Sequence, residues 1–204
     1  MEIEACPLCL AVSDHPLSLR GINANTILGR NEEFIIVPAL GPLVIGHVLA
    51  ISAAHTDGLK YLQASVQRSY EELSVKIHRY CRDLGDTVLE AEHGARSTSL
   101  RGPCIRHTHV HILPRLGTAT TLFENKHNLS TVDGERLNAT DSYLWVSNGR
   151  HIRTYDASRI VGQQIRQTIG NYLKVDDWDW AVNPKAELIT STIAYWSNVK
   201  RWLH

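Results

Sequence analysis

The run RGPCIRHTHVHILPR, residues 101–115, places His107, His109 and His111 at alternate positions just before a proline. Alternation is the strand period, in which successive side chains point to opposite faces. As a strand, the run lines all three imidazoles on one face. Thr108, Val110 and Ile112 line the other, and Val110 and Ile112 read as core. A side chain with an unperturbed pKa of about 6.5 is largely neutral and nucleophilic near pH 7. The row is therefore a candidate for metal binding, acid–base chemistry or nucleophilic attack; a merely solvated face is more readily filled by Lys, Glu or Thr. Strand geometry separates His107 from His111 by about 13 Å. A metal held at about 2.0–2.1 Å from each nitrogen can rarely gather all three from one flat strand. The three histidines must divide their duties.

A second chemical feature is CPLC, with Cys6 and Cys9. Two thiolates need two further ligands to complete a tetrahedral zinc site. The alternatives are a redox pair, which lacks the following βαβ pattern expected of that role, and an idle pair. Cys81 lies in a helical stretch and reads as core, and His15, His78, His127 and His151 read as surface residues. The WDW of residues 178–180 reads as a packing anchor, because tryptophan buries so much area.

Residues 26–30, 34–39, 43–52 and 87–92 are expected as strands, the third on its β-branched run LVIGHVLAIS. Residues 57–84 are expected as one long helix: Leu59, Leu62, Val66, Tyr70, Leu73 and Ile77 recur at three- and four-residue spacing. Gly85 then serves as its C-cap. Residues 96–103 read as a loop and Asn148–Gly149 as a hairpin turn between strands 142–146 and 150–154. Residues 158–173 and 186–202 read as helices. The pattern is α+β, an antiparallel sheet with a few helices.

Lys plus Arg equal Asp plus Glu, 21 each, in 204 residues. That balance argues against a bulk nucleic-acid binder or an anionic-membrane binder, which need a cationic surface. No stretch approaches the roughly 20 apolar residues of a membrane span. A soluble, cytoplasmic protein is expected, in which cysteines serve as thiols or metal ligands.

HTHVHILP resembles the signature His-φ-His-φ-His-φ-φ of the histidine-triad (HIT) superfamily, with Thr108 at the first φ. GPLVIGHVLAISAAH, residues 41–55, resembles that family's Pro-Gly-His strand, which ends near a further histidine; here Gly46–His47 is the pair, and His47 is read as structural. EHG, residues 92–94, resembles the strand end beside the bound phosphates, and CPLC the Cys-x-x-Cys of zinc-containing members. The pieces span residues 6–115 in the family's order. His111 stands where uridylyltransferase-like members carry glutamine, so the hydrolase branches are the closer match.

The resemblance implies a HIT-like antiparallel sheet with one long helix in residues 1–125, and a C-terminal extension of a hairpin plus helices, 126–204, packing on that core. It implies hydrolysis at the α-phosphate of a nucleotide substrate through a nucleotidyl-histidine intermediate; the substrate would be a nucleoside phosphoramidate, an adenylylated small molecule or a dinucleoside polyphosphate. His109 would be the nucleophile. His111 would bond a phosphate oxygen or protonate the leaving group. His93, Gly102 and Cys104 would line the substrate pocket. Cys6, Cys9, His55 and His107 would hold one structural Zn2+ per chain, leaving no ligand position for water. A homodimer through the long helix and an edge strand is also implied, with neither nucleic acid nor membrane as partner. The alternatives are a nucleotidyltransferase or phosphorylase of the same superfamily, and a non-catalytic nucleotide-binding module.

Overall fold

In the computed structural model of the chain, residues 6–13, 18–19, 22–23, 27–96, 105–127, 129, 131–133, 141–160 and 162–197 are described. The elements run α1 (Pro7–Val12), β1 (Ser18–Leu19), β2 (Ile22–Asn23), β3 (Gly29–Arg30), β4 (Phe34–Pro38), β5 (Val48–Ser52), a 3-10 turn (Leu59–Tyr61), α2 (Ala64–Asp83), β6 (Val88–Ala95), β7 (His109–Pro114), α3 (Leu122–His127), β8 (Ser142–Ser147), β9 (Ile152–Asp156), α4 (Gln164–Leu173) and α5 (Ala186–Tyr195). Strands β3 to β9 form one seven-stranded sheet in the order β3-β4-β5-β7-β6-β8-β9. Every neighbouring pair is antiparallel. The class is α+β, as the alternation of strands and helices predicts.

Period-2 alternation sorts the sheet's side chains onto two faces. Phe34, Ile36, Val48, Ala50, Val88, Val110 and Ile112 meet Tyr70, Leu73, Ile77 and Tyr80 of α2 in one core. On the opposite face Ile35, Val37 and Ile51 pack under α1. Leu89, Ala91, Leu113, Leu144 and Val146 pack with Phe123, Ile165 and Ile169 of α3 and α4. His109 pairs with Ile51, and His111 lies between Leu49 and Ala91. The two histidines therefore stand on this second face, between the α1 cluster and the C-terminal cluster.

The structure corrects four boundaries, each for a local reason. Strand β7 starts at His109, and His107 occupies a bend before it. The triad is thus two strand residues and one strand-entry residue. The helix expected from residue 57 begins at Ala64. Side chains of β6 and β8 capture the earlier amides: Leu59 N–H donates to the Glu92 carboxylate (3.0 Å) and Lys60 N–H to the Tyr143 hydroxyl (3.2 Å). The strand expected from residue 43 begins at Val48, because residues 41–47 form a turn with Gly41 at φ +56° and Gly46 at φ +90°. The helix expected from residue 158 begins at Gln164. Gly85 closes α2 as expected, at φ +82°, with Gly85 N–H donating to Arg82 O (2.9 Å) and Asp86 N–H to Cys81 O (2.8 Å).

The two turn glycines differ from Gly85 in their surroundings. A Cβ on Gly41 would lie 2.6 Å from Asn183 O, whereas one on Gly85 meets nothing within 4 Å. Both substitutions to alanine carry the left-handed backbone cost of about 1–2 kcal/mol, and Gly41→Ala adds an overpacking cost of about 1–3 kcal/mol. Urea denaturation should therefore show Gly41→Ala clearly more destabilising than Gly85→Ala. Equal losses would show that the 41–47 turn is not held as described.

Candidate active site and metal centre

The metal centre is assembled from three separate pieces of chain. Helix α1 supplies Cys6 at its N-cap and Cys9 within it. The loop after β5 supplies His55, and the bend before β7 supplies His107. Their ligand atoms all lie within 4.8 Å of one another. Cys9 Sγ is 3.1 Å from His55 Nδ1 and 3.5 Å from His107 Nδ1, and Cys6 Sγ is 3.7 Å from His107 Nδ1. Ligands at about 2.3 Å (sulfur) and about 2.0–2.1 Å (nitrogen) around a tetrahedral ion are about 3.6 Å apart. The donor set thus fits a closed four-ligand site.

The protonation pattern supports the same fit. His107 Nε2–H donates to Ser52 O (2.8 Å), which leaves Nδ1 as a lone pair aimed at the thiols. Burial, against the Ser52 bond and with His55 and His109 nearby, lowers its pKa to about 4. The ring is neutral, as a ligand must be. Burial and then the adjacent Cys6 raise the Cys9 pKa; a cation between the two sulfurs would reverse that.

The second constellation starts at the carbonyl of His107. It accepts a hydrogen bond from His109 Nδ1–H at 2.6 Å. The proton of the neutral ring is thereby fixed on Nδ1, and Nε2 is left with a free lone pair. Burial lowers the His109 pKa, opposed by that same hydrogen bond. A neutral imidazole with a bare Nε2 is the nucleophilic form.

His111 is fixed by a chain of two bonds. Leu43 N–H donates to His47 Nδ1 (3.2 Å). A backbone amide can only donate, so His47 carries its proton on Nε2. His47 Nε2 lies 3.0 Å from His111 Nδ1. His111 must accept there, and its own proton sits on Nε2. His109 thus presents a lone pair and His111 a proton; the two rings are 5.5 Å apart between centroids. Burial, then the neighbouring positive charges, lowers His47 and His111 well below 6.5. His47, read as structural from the sequence, is thus a member of the site. Its mark in the sequence was only the Gly46–His47 pair.

His93 follows Ala91 by one pleat on the same face, and since Ala91 pairs with His111 the register carries it toward His109. Its Nε2–H donates to Ser142 Oγ (3.0 Å), whose hydroxyl donates to Ala157 O (3.1 Å). Burial lowers its pKa to about 4. His93 is therefore brought to His109 and held by β8. Gly102 and Cys104 lie outside the described residues. Two acids are buried nearby, Glu92 of the EHG motif and Glu90, which the sequence reading did not single out. Glu92 accepts from Tyr143 (2.5 Å) and Leu59, and burial raises its pKa to about 7. Glu90 accepts from Tyr70 and Ser74 at 3.0 Å each, with His78 Nε2 at 3.4 Å. His78 is thus not the plain surface residue expected.

No family model matches the chain, and no curated protein matches it. Among solved structures it is similar to a Zn-bound histidine triad family protein from Mycobacterium smegmatis, at 20% identity over 54% of this chain and 75% of that one, TM-score 0.39. It is similar to a HIT family hydrolase from Clostridium thermocellum, at 21% identity over 54% of this chain and 90% of that one, TM-score 0.38. A hypothetical protein from Leishmania major is also similar, at 19% identity over 66% of this chain and 89% of that one, TM-score 0.43. The first two bear the name of the family that the histidine motif resembles. No helix among the described residues is long and apolar enough to cross a membrane.

Five histidines held neutral set an expectation for acid stability. His47, His107 and His111 are buried and His93 and His109 half-buried, and all five have folded pKa values below 6.5. Below pH 6.5 the unfolded chain binds protons at these positions that the folded chain does not, so stability falls as pH falls. Glu92, raised to about 7, works in the opposite direction, as one group against five. Urea midpoints of metal-free protein should therefore drop between pH 7 and pH 5. An unchanged or higher midpoint at pH 5 would contradict the neutral assignment.

Proposed function

We propose that this chain is a histidine-triad nucleotide hydrolase that acts at the α-phosphate through a nucleotidyl-histidine intermediate on His109. The observation that carries the reading is the 2.6 Å bond from His109 Nδ1–H to the His107 carbonyl, which leaves Nε2 as the attacking atom. Nε2 forms a bond to the α-phosphorus as the bond from phosphorus to the leaving oxygen or nitrogen breaks. The Nε2–H of His111 hydrogen-bonds the departing oxygen or nitrogen, which takes its proton from solvent. Water then attacks the phosphorus, the P–N bond breaks to restore the neutral His109 ring, and the proton lost by that water returns to solvent. One displacement becomes two easier ones. His93 borders the nucleophile and is proposed, with Gly102 and Cys104, to line the substrate pocket.

The ion at Cys6, Cys9, His55 and His107 is proposed to be zinc in a structural role. When bound, it supplies cross-linking of α1 to the entry of β7 and no open coordination position. His107 belongs to both constellations, its ring to the metal cluster and its carbonyl to the nucleophile. A homodimer is proposed through the groove between α2 and β9, where Val75 (70% exposed) and Ile152 (67% exposed) stand at the last strand of the sheet. The inner edge of β6 is not available, because β8 pairs with it.

Three variants separate these roles. His109→Ala should lose turnover of a nucleoside phosphoramidate by several orders of magnitude and keep its metal. Cys6→Ala should lose the metal and melt at lower temperature. Val75→Glu should lower the solution mass seen by light scattering without changing turnover. Near wild-type turnover in His109→Ala would remove the proposed mechanism. Metal retained by Cys6→Ala but lost by His109→Ala would make the triad itself the metal site.

A further inference from the structure

The turn of residues 41–47 supplies the Leu43 amide and the His47 ring that fix His111. Its own fixation comes from the other end of the chain. Gly41 N–H donates to Pro184 O (2.9 Å). Gly46 N–H donates to Thr192 Oγ1 (3.0 Å), and Trp196 Nε1–H donates to Gly46 O (2.9 Å). Thr192 and Trp196 are at most 1% exposed. A further carbonyl of the turn, Gly41 O, accepts from Arg166 Nη2–H. The same guanidinium donates twice to Trp178 O, from Nε (3.1 Å) and Nη2 (2.9 Å).

Arg166 is 5% exposed, and its hydrogen bonds go to backbone carbonyls. A buried guanidinium is costly to desolvate, and burial lowers its pKa to about 10, with Asp179 the charge that opposes this. Its positive charge is felt at both His47 and His111, as is that of Lys185 at His47. Helix α4 needs no such residue for packing, since Ile165 and Ile169 fill the core beneath it.

We propose that Arg166 is a positioning residue of the active site: by bridging Gly41 O and Trp178 O it holds the 41–47 turn so that His47 directs the Nε2–H of His111 at the substrate. The inference rests on the reading of His111 as hydrogen-bond donor to the departing group given above, and it makes the C-terminal segment part of the catalytic apparatus. The planar fork is what spans two carbonyls on different segments, so lysine should not replace it.

The test is a histidine-resolved 15N–1H correlation spectrum of wild type, Arg166→Met and Arg166→Lys at pH 7, read beside the kinetics of each. In wild type, His111 and His47 should each show a protonated Nε2 and a bare Nδ1. In both variants His111 should populate both tautomers. Turnover number should fall by about 10²-fold or more, as for loss of one preorganised hydrogen-bond donor, with KM within a few-fold of wild type. His111 found protonated on Nδ1 in wild type overturns the proposal, and that spectrum needs no variant to fold. A folded Arg166→Met or Arg166→Lys that keeps a single Nε2–H tautomer on His111 overturns it too. The spectra decide even if no nucleotide is turned over, which separates failure here from failure of the hydrolase reading.

Discussion

The hydrogen bond from His109 Nδ1–H to the His107 carbonyl, 2.6 Å long, is the constraint on which the site turns. It works only if that carbonyl is turned back toward the ring two residues on. His107 therefore cannot continue a flat strand, and the structure places it in a bend. The bend is held from three directions. The His107 ring donates to Ser52 O (2.8 Å) and faces the thiols of Cys6 and Cys9. Thr108 N–H donates to Thr56 O (2.7 Å), and Ser52 N–H donates to Thr108 O (3.2 Å). One residue thus joins the Cys6–Cys9–His55–His107 cluster to His109, and the cluster bears on the His109 ring by fixing a carbonyl.

Electrostatics points the same way. Burial alone would lower every histidine here, but each of the central rings also has a defined partner for its protonated or bare nitrogen. His109 donates to a carbonyl, and His47 accepts from an amide and donates to His111. In a low-dielectric setting such chains resist the entry of a further charge. The result is a neutral lone pair and a neutral N–H side by side, a nucleophile-type nitrogen next to a fixed hydrogen-bond donor. The sheet makes this possible by giving the histidines a face between two apolar clusters, α1 on one side and α3 with α4 on the other.

Features set by local period were legible in the sequence. The alternation of histidines, the apolar stripe of α2, its Gly85 cap and the Asn148–Gly149 turn all depend on neighbours within a few residues. Features set by distant partners were not. Residues 43–47 read as a strand because LVIGH is apolar and β-branched, yet Gly41 and Gly46 bend under bonds to residues 166, 184, 192 and 196. Residues 57–63 carried a helical period, but Glu92 and Tyr143 took their amides. Arg166 reads as an ordinary helix arginine until the carbonyls of Gly41 and Trp178 are seen around it. His47 needed the same distant turn to become part of the site. The metal ligands could be paired only through the family resemblance, since nothing in their spacing joins Cys6 to His107.

The central claim is that Nε2 of His109 carries the nucleotidyl group. Rapid acid-free quenching of enzyme mixed with a radiolabelled nucleoside phosphoramidate, followed by peptide mapping, tests it directly. The account predicts an acid-labile label, one nucleoside monophosphate in mass, on the peptide containing His109 and at its Nε2. Label on His111 or on a cysteine, or steady turnover with no protein-bound nucleotide at any time point, would contradict it.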